Sequence, residues 1–323
     1  MIKLPDEWLV IGSGSLTGSR FIALTKGSKL YGSGGGLDAP NPDLIDFYQL
    51  DVTNEAQVEE IIGKFPGKYV INFAGATLVD EIEKTRPQDP TNPEELNQNL
   101  AYKVNVLGTR YIAAACRRFG KFPVFISTGF VFDGKNGLYN EESAVAQDSA
   151  EVSWYGWTKI LAEKEVAVSG VESVTMRISY PYRSEYEGKG DFGRNFLNLY
   201  DAVQKGEKQW YPIFIDQTLT PTFIDDLPPA VLTLVENQAT GIYHVTSSEV
   251  TTPYEFCCEA LRVARGVENP ESIVPKGTLV DFEETHPNSA KRPLHGGEKT
   301  NKIQALSFTP TTWRDGIKRA FGK

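Results

Sequence analysis

Short apolar runs alternate with amphipathic stretches through the first half of the chain. Trp8-Leu9-Val10-Ile11, Lys29-Leu30-Tyr31, Phe47-Tyr48-Gln49-Leu50, Tyr69-Val70-Ile71-Asn72-Phe73 and Val124-Phe125-Ile126-Ser127 have the length and residues of strands. Between them, Glu55 to Lys64 and Glu94 to Phe119 repeat apolar residues at helical steps. In the second stretch Leu100, Val104, Leu107, Tyr111 and Ala115 fall on one face. A helix from about Ser153 to Ala167 and a strand from Ser173 to Ile178 follow. Strands alternating with helices predict an α/β fold, a doubly wound parallel sheet covered on both faces.

The order loosens after Tyr180, where Pro181, Pro212, Pro221, Pro228 and Pro229 punctuate short elements. The run Gly241-Ile242-Tyr243-His244-Val245 reads as a return to the main sheet. The expected organisation is therefore a main domain over 1–180 with a return around 222–250. A smaller, discontinuous C-terminal substrate lobe would take 181–221 and 251–323, with the substrate in the cleft between the two.

Composition narrows the picture. The chain has 323 residues and a formal charge of -9, with no long basic run, so a nucleic-acid partner is not expected. Cys116, Cys257 and Cys258 have neither zinc nor disulfide spacing and read as buried thiols in helices. His244, His286 and His295 form no spaced cluster, and no metal site is expected. No apolar run is long enough to cross a membrane, so no membrane partner is expected. The first strand begins without a basic-then-apolar leader, which makes a cytoplasmic location the expectation.

The segment Ile11-Gly12-Ser13-Gly14-Ser15-Leu16-Thr17-Gly18 follows the first strand and opens a helix. A pyrophosphate needs bare backbone amides at a helix N-terminus, and this context provides both. Gly12 permits the tight turn, Gly14, Ser15 and Leu16 line the phosphate approach, and Gly18 lets the helix pack close to the strand. Taken alone, such a turn is as often a plain strand-to-helix connection. Asp51 and Val52 end one strand beside the expected adenine. Phe73, Ala74 and Gly75 end another, where a dinucleotide could cross the sheet edge; either strand end taken alone reads first as an ordinary cap. These features predict a Rossmann-type NAD(P)-binding domain. The second strand runs into Gly32-Ser33-Gly34-Gly35-Gly36, with no acidic residue to grip a ribose diol. This favours NADP(H) over NAD(H). No arginine follows the strand either; Arg20 and Lys29 are candidates for the 2′-phosphate, and both also read as ordinary solvated charges. The glycine run itself reads as a flexible loop.

Tyr155-Gly156-Trp157-Thr158-Lys159 opens a helical stretch, so the tyrosine and the lysine share a face. An ammonium beside a phenol lowers the phenol's pKa and equips it for proton exchange at a carbonyl. Of fourteen tyrosines only Tyr155 has a lysine four residues on, which is roughly what chance gives. A surface Tyr–Lys contact, or a Lys159–Glu163 pair, explains the spacing equally well. Two neighbours add weight: a strand ending Ser127-Thr128, whose hydroxyls can orient a carbonyl, and a long loop from Gly129 to Glu151.

With these residues placed, the chain resembles the extended short-chain dehydrogenase/reductase superfamily and, within it, the dTDP-4-dehydrorhamnose reductase family. The resemblance rests on VINFAGATLVDEIE (70–83), Asn105-Val106-Leu107-Gly108-Thr109, ISTGFVFDG (126–134) against the family's ISTDYVFDG, and Tyr155-Gly156-Trp157-Thr158-Lys159. Asn195-Phe196, Asp216-Gln217, Pro221-Thr222, Gly241 to His244, Arg292-Pro293 and Trp313 extend it along nearly the whole chain. It implies NAD(P)H-dependent reduction of a keto group on a nucleotide-linked sugar. Tyr155 would be the general acid, Lys159 would tune it and hold the nicotinamide ribose, and Thr128 would bind the substrate oxygen. Asp80, Glu83, Gly129 and Asn195 would lie against the substrate, although Asp80 and Glu83 also read as plain helix-cap carboxylates. The resemblance leaves a homodimer open.

Three departures stand out. Ser15 replaces a glycine of the turn, Gly129 and Phe130 replace the family's Asp and Tyr, and Thr85 to Asn99 looks longer than its equivalent, reshaping the expected substrate mouth. Two other readings remain. One is an NAD-dependent nucleotide-sugar epimerase or dehydratase. The other is a non-catalytic NADP-binding regulatory subunit resembling the methionine adenosyltransferase beta subunit.

Overall fold

The computed structural model describes residues 2–35, 41–185 and 188–322. Its centre is a seven-stranded, wholly parallel sheet in the order β3-β2-β1-β4-β5-β6-β8. The strands are β1 (Glu7–Ile11), β2 (Lys29–Gly34), β3 (Asp46–Gln49), β4 (Tyr69–Asn72), β5 (Phe122–Thr128), β6 (Val174–Ile178) and β8 (Gly241–His244). Successive side chains point to opposite faces of a strand, and this builds two cores. Trp8 and Val10 face one side, with Phe21 and Ile22 of α1 (Leu16–Leu24) and Ala230, Val231 and Leu234 of α9 (Leu227–Glu236). Leu9 and Ile11 face the other, with Val58 and Ile62 of α2 (Glu55–Lys64) and Ile112 and Cys116 of α6 (Gly108–Arg118). The strand order reverses between β1 and β4, which opens a crevice beyond their carboxyl ends.

Two expectations change. The glycine run is not a loop: β2 continues through Gly34, paired with β1 on one side and β3 on the other, and the Leu44 side chain packs over Gly32. Gly36 lies outside the described residues. The single helix expected from Glu94 to Phe119 is broken. After the short α3 (Val79–Glu83), α4 (Pro93–Gln98) stops at Asn99, whose extended backbone leaves its side chain free to cap α5 (Leu100–Tyr102). A π turn over Lys103–Leu107 then leads into α6.

α7 (Trp154–Ser169) starts on Ser153, whose side chain accepts from the Gly156 N–H. Beyond Tyr180 a third core packs Tyr182 with Phe196, Phe256, Trp313 and Ile317, of α8 (Phe192–Gln204), α10 (Pro253–Arg265) and α13 (Trp313–Phe321). A small parallel pair, β7 (Ile213–Phe214) and β9 (Lys276–Gly277), and α11 (Leu279–Thr285) lie beside it. Ile303 of α12 (Asn301–Gln304) returns to the core of the main sheet. Cys116, Cys257 and Cys258 are buried free thiols in helices, as expected. Among the described residues no helix is long and apolar enough to cross a membrane.

Candidate active site

Thr128 is the last residue of β5, and Tyr155 lies in the first turn of α7. What brings them together is a close approach of helix to strand end. A Cβ on Gly156 would meet the Phe130 carbonyl oxygen at 2.2 Å, so only glycine lets α7 begin here. The Phe130 ring sits edge-on to the Tyr155 ring at 5.9 Å. The Tyr155 phenol faces the Thr128 hydroxyl. Burial pushes the phenol up to about 12, with the Thr128 hydroxyl pulling the other way. The expected lowering by an ammonium is absent in the protein alone. Lys159 Nζ instead donates to the Ile126 carbonyl at 2.6 Å, on the strand that carries Thr128. Burial brings that ammonium down to about 8, partly offset by Glu163. Glu163 itself accepts from Arg177 (2.9 and 2.7 Å) and Ser127 (2.5 Å). A Lys159–Glu163 hydrogen bond is therefore not what the spacing encodes.

The sequence did not single out Asn105 as a site residue, yet the π turn aims its buried amide at two elements. Oδ1 accepts from Ala76 N at 2.8 Å, and Nδ2 donates to Ala76 O and to Thr158 Oγ1, both at 3.0 Å. Thr158 Oγ1 in turn donates to the Tyr155 carbonyl at 2.8 Å. The loop after β4 is thus locked to the helix that carries the tyrosine. A π bulge has no signature in hydrophobic periodicity, which is why it stayed hidden.

The glycine turn lies at the same rim. Gly12 has φ +74, and a Cβ there would fall 2.6 Å from Ala74 N, so the turn packs directly on the Phe73-Ala74 backbone at the end of β4. A Cβ on Gly18 would meet Gly12 O at 2.3 Å. Ser15, the departure from the family pattern, caps α1 with its hydroxyl and has φ −70, which any residue adopts. The N–H groups of Leu16 and Thr17 belong to the first turn of α1 and have no helical acceptor. Lys189 reaches across to the Gly14 carbonyl. Val52 is buried, and a Cβ on Gly108 would touch it at 3.2 Å; Asp51 is exposed and accepts from Thr53. The bare turn and the free amides fit a dinucleotide pyrophosphate.

Neither expected 2′-phosphate cation lies free at this rim. Arg20 is buried; its Nε donates to Asp225 Oδ1 at 2.8 Å and NH1 to Glu185 at 2.6 Å. It is neither a solvated surface charge nor a free anion ligand. Lys29 is exposed and pairs with Glu7 (3.2 Å) at the amino end of β2, the opposite end from the turn.

Between the main sheet and the third core opens a cavity of about 830 Å³. Asp80 and Asn195 line it; so do Tyr180, Gln217, Lys276 and Arg292. Arg292 NH2 holds both Asp80 oxygens, at 2.9 and 2.8 Å. Tyr180, at φ +45, rests its ring on Phe130 at 5.5 Å, linking this cavity to the tyrosine site. Glu83 does not line the cavity. Its carboxylate accepts from the Trp154 N–H (2.6 Å) and from Arg86 (2.5 Å), and so secures the start of α7. The long stretch from Thr85 to Asn99 also contributes nothing to the cavity wall. Arg86 donates to the carbonyls of Ser149 and Val152, and Asn99 accepts from Trp154 Nε1 at 3.1 Å. It braces α7 from behind. A second hollow, of about 710 Å³, lies at the far rim among Lys68, Arg117 and Glu172, away from every one of these groups. Among the described residues no group of His, Cys, Asp and Glu is placed to hold a metal ion.

A family model described as the RmlD substrate binding domain matches residues 8–323. The dTDP-4-dehydrorhamnose reductase of Aggregatibacter actinomycetemcomitans is 28% identical over 284 residues, 85% of this chain and 87% of that protein. Among solved structures, a dTDP-4-dehydrorhamnose reductase of Clostridium acetobutylicum superposes with a TM-score of 0.75 at 25% identity, covering 97% of this chain and 98% of that one. The Bacillus anthracis enzyme of the same name, in complex with NADP, has a TM-score of 0.74 at 23% identity, covering 99% of each chain, a likeness of fold.

Proposed function

The chain belongs to the RmlD substrate binding domain family, and from that premise we propose that it reduces a keto group on a nucleotide-linked sugar with NAD(P)H. The observation that carries the reading is the Tyr155–Thr128 pair at the carboxyl rim of the sheet, with Lys159 of α7 anchored to the Ile126 carbonyl of β5. dTDP-4-dehydrorhamnose, the compound in the relatives' names, is the first substrate to try.

The roles follow from the chemistry of each group. The Tyr155 phenol, held up at about 12, keeps its proton through the neutral range and gives it to the carbonyl oxygen as charge develops there. The Thr128 hydroxyl donates to the same oxygen and fixes the carbonyl against the phenol. The bound reduced nicotinamide supplies the hydride. Lys159 is assigned to the nicotinamide ribose, and its charge favours the phenolate that remains once the proton has left. Gly12, Gly14, Ser15, Leu16 and Gly18 would hold the pyrophosphate, Asp51 and Val52 the adenosine, and Phe73, Ala74 and Gly75 the crossing at the sheet edge. NADP(H) is favoured over NAD(H), because Ser33, Gly34 and Gly35 at the end of β2 offer no carboxylate to repel a 2′-phosphate. Asp80, Asn195 and Gly129 are assigned to the substrate side. Residues 181–221 and 251–323 are read as the substrate lobe.

The test is purified protein with NADPH and dTDP-4-dehydrorhamnose, following NADPH absorbance and the sugar product together. Stoichiometric NADPH loss with formation of an alcohol is the expected result. Conversion of the sugar without net NADPH loss points to the epimerase reading. Binding of NADPH with no turnover across a panel of dTDP-, UDP- and GDP-keto-sugars overturns the enzyme assignment.

A further inference from the structure

Glu298 is a buried acid that the mechanism above does not use. It is 3% exposed, and no ion pair among the described residues involves it. A carboxylate in such a place is costly unless its oxygens are hydrogen-bonded. Both are: Oε1 accepts from the Ser179 hydroxyl and Oε2 from the Thr220 hydroxyl, while its own N–H donates to Thr220 Oγ1 at 3.0 Å. Ser179 Oγ also accepts from the Gly129 N–H at 3.2 Å, and the Ser179 N–H donates to Thr222 Oγ1 at 3.0 Å. One carboxylate therefore ties the ends of β5 and β6 to the 220–222 segment.

The steric evidence is independent of these bonds. A Cβ on Gly129 would lie 1.9 Å from Glu298 Oε1 and 2.6 Å from Ser179 Oγ. The carboxylate occupies the space in which any side chain at 129 would begin. Position 129 follows Thr128 directly and starts the short turn whose Phe130 N–H donates to Thr128 Oγ1 at 3.3 Å. It is also the position at which the family motif quoted above has Asp.

We propose that Glu298 is a positioning residue for Thr128, supplying from the C-terminal segment the carboxylate that replaces a side chain at 129 and anchoring, through Ser179, the turn that orients the carbonyl-binding hydroxyl. This rests on the reductase reading. The burial that pushes the Glu298 carboxyl above its usual range is consistent with a group retained for geometry rather than for charge.

The experiment compares E298A, E298Q, S179A, G129D and the double variant G129D/E298A by thermal unfolding, NADPH titration and steady-state kinetics. Misplacing the Thr128 hydroxyl should cost E298A and S179A roughly 10- to 100-fold in kcat, with NADPH affinity unchanged. E298Q, which still accepts from Ser179, should stay within about 3-fold of wild type on the same geometric ground. G129D alone should lose stability by collision with Glu298. The double variant should recover, in kcat over E298A and in Tm over G129D, beyond the sum of the single effects. Additive single effects overturn the proposal. So does a purely structural outcome, in which E298A lowers Tm but turns over normally per folded molecule, or an E298Q as slow as E298A. If wild type itself turns over no keto-sugar, the reductase reading fails. The Tm coupling of positions 129 and 298 then still decides whether the two sites share one space.

Discussion

Gly156 lies against the carbonyl of Phe130 so closely that a Cβ would approach it to 2.2 Å. This contact sets the distance between the helix that carries Tyr155 and the turn that follows Thr128. Gly156→Ala must push α7 off the strand end. Overpacking of this kind costs about 1–3 kcal/mol, read as a lower Tm, and turnover should fall further than the loss of folded protein explains. A Gly156→Ala enzyme with full kcat would show that the Tyr155–Thr128 spacing is not critical.

Tyr155→Phe keeps the ring that packs against Phe130 and removes only the hydroxyl proposed as proton donor. Loss of a general acid costs roughly 10²–10⁴-fold in kcat, while NADPH affinity should stay close to wild type. Turnover at the wild-type rate would remove the phenol from the mechanism.

Burial brings Lys159 from 10.5 down to about 8. Between those values the unfolded chain holds the proton and the folded protein does not. Stability should therefore rise with pH through that window, with the full penalty of the buried ammonium present below it. Lys159→Met is expected to raise Tm at neutral pH, to abolish the rise above pH 8, and to weaken both cofactor binding and rate. Thermal unfolding over a pH series checks this; a wild-type Tm flat over the window would mean a well-solvated ammonium.

Arg20 carries a buried ion pair rather than a phosphate contact. Arg20→Ala leaves Asp225 without its guanidinium and should cost about 3–5 kcal/mol of stability, measured by denaturant unfolding. The ratio of NADPH to NADH affinity should not move. Selective loss of NADPH affinity would return Arg20 to the role first considered for it.

Arg292 pairs with Asp80 inside the cavity, at some distance in sequence from the tyrosine helix. Arg292→Ala should raise KM for the nucleotide sugar about 10-fold or more while leaving NADPH binding intact, the pattern of lost substrate binding. An unchanged KM would place the substrate elsewhere.

Much of this architecture is legible in the residue order because it is local. Helix Glu55–Lys64 matches its periodicity residue for residue, Ser153 announces α7, and the Gly12-to-Gly18 turn follows β1 as the spacing demands. The misread features depend on partners far along the chain. Gly32 to Gly34 form a strand because β1 and β3 pair on either side, Arg20 is buried against Asp225, 205 positions away, and Glu83 takes its helix-cap reading at the Trp154 amide, 71 positions away. Glu298 and Ser179, separated by 119 positions, leave no signal in either neighbourhood. Glycine at 129 was the only visible trace of that contact, and it could be understood only once its neighbour across the fold was known.

The π turn over Lys103–Leu107 holds one residue more than an α turn would. Each residue of an α-helix advances the chain by about 100°, so the stretch before the turn is out of phase with α6 by that angle. The core grips α6 through Ile112 and Cys116, which pins the downstream phase. Deleting Leu107, which lies between Asn105 and α6, would therefore swing the Asn105 amide away from Ala76 and Thr158 while Ile112 and Cys116 stayed in place. The length of this segment is thus constrained along with its residues, and a change of length between Asn105 and α6 should uncouple the loop after β4 from the tyrosine helix.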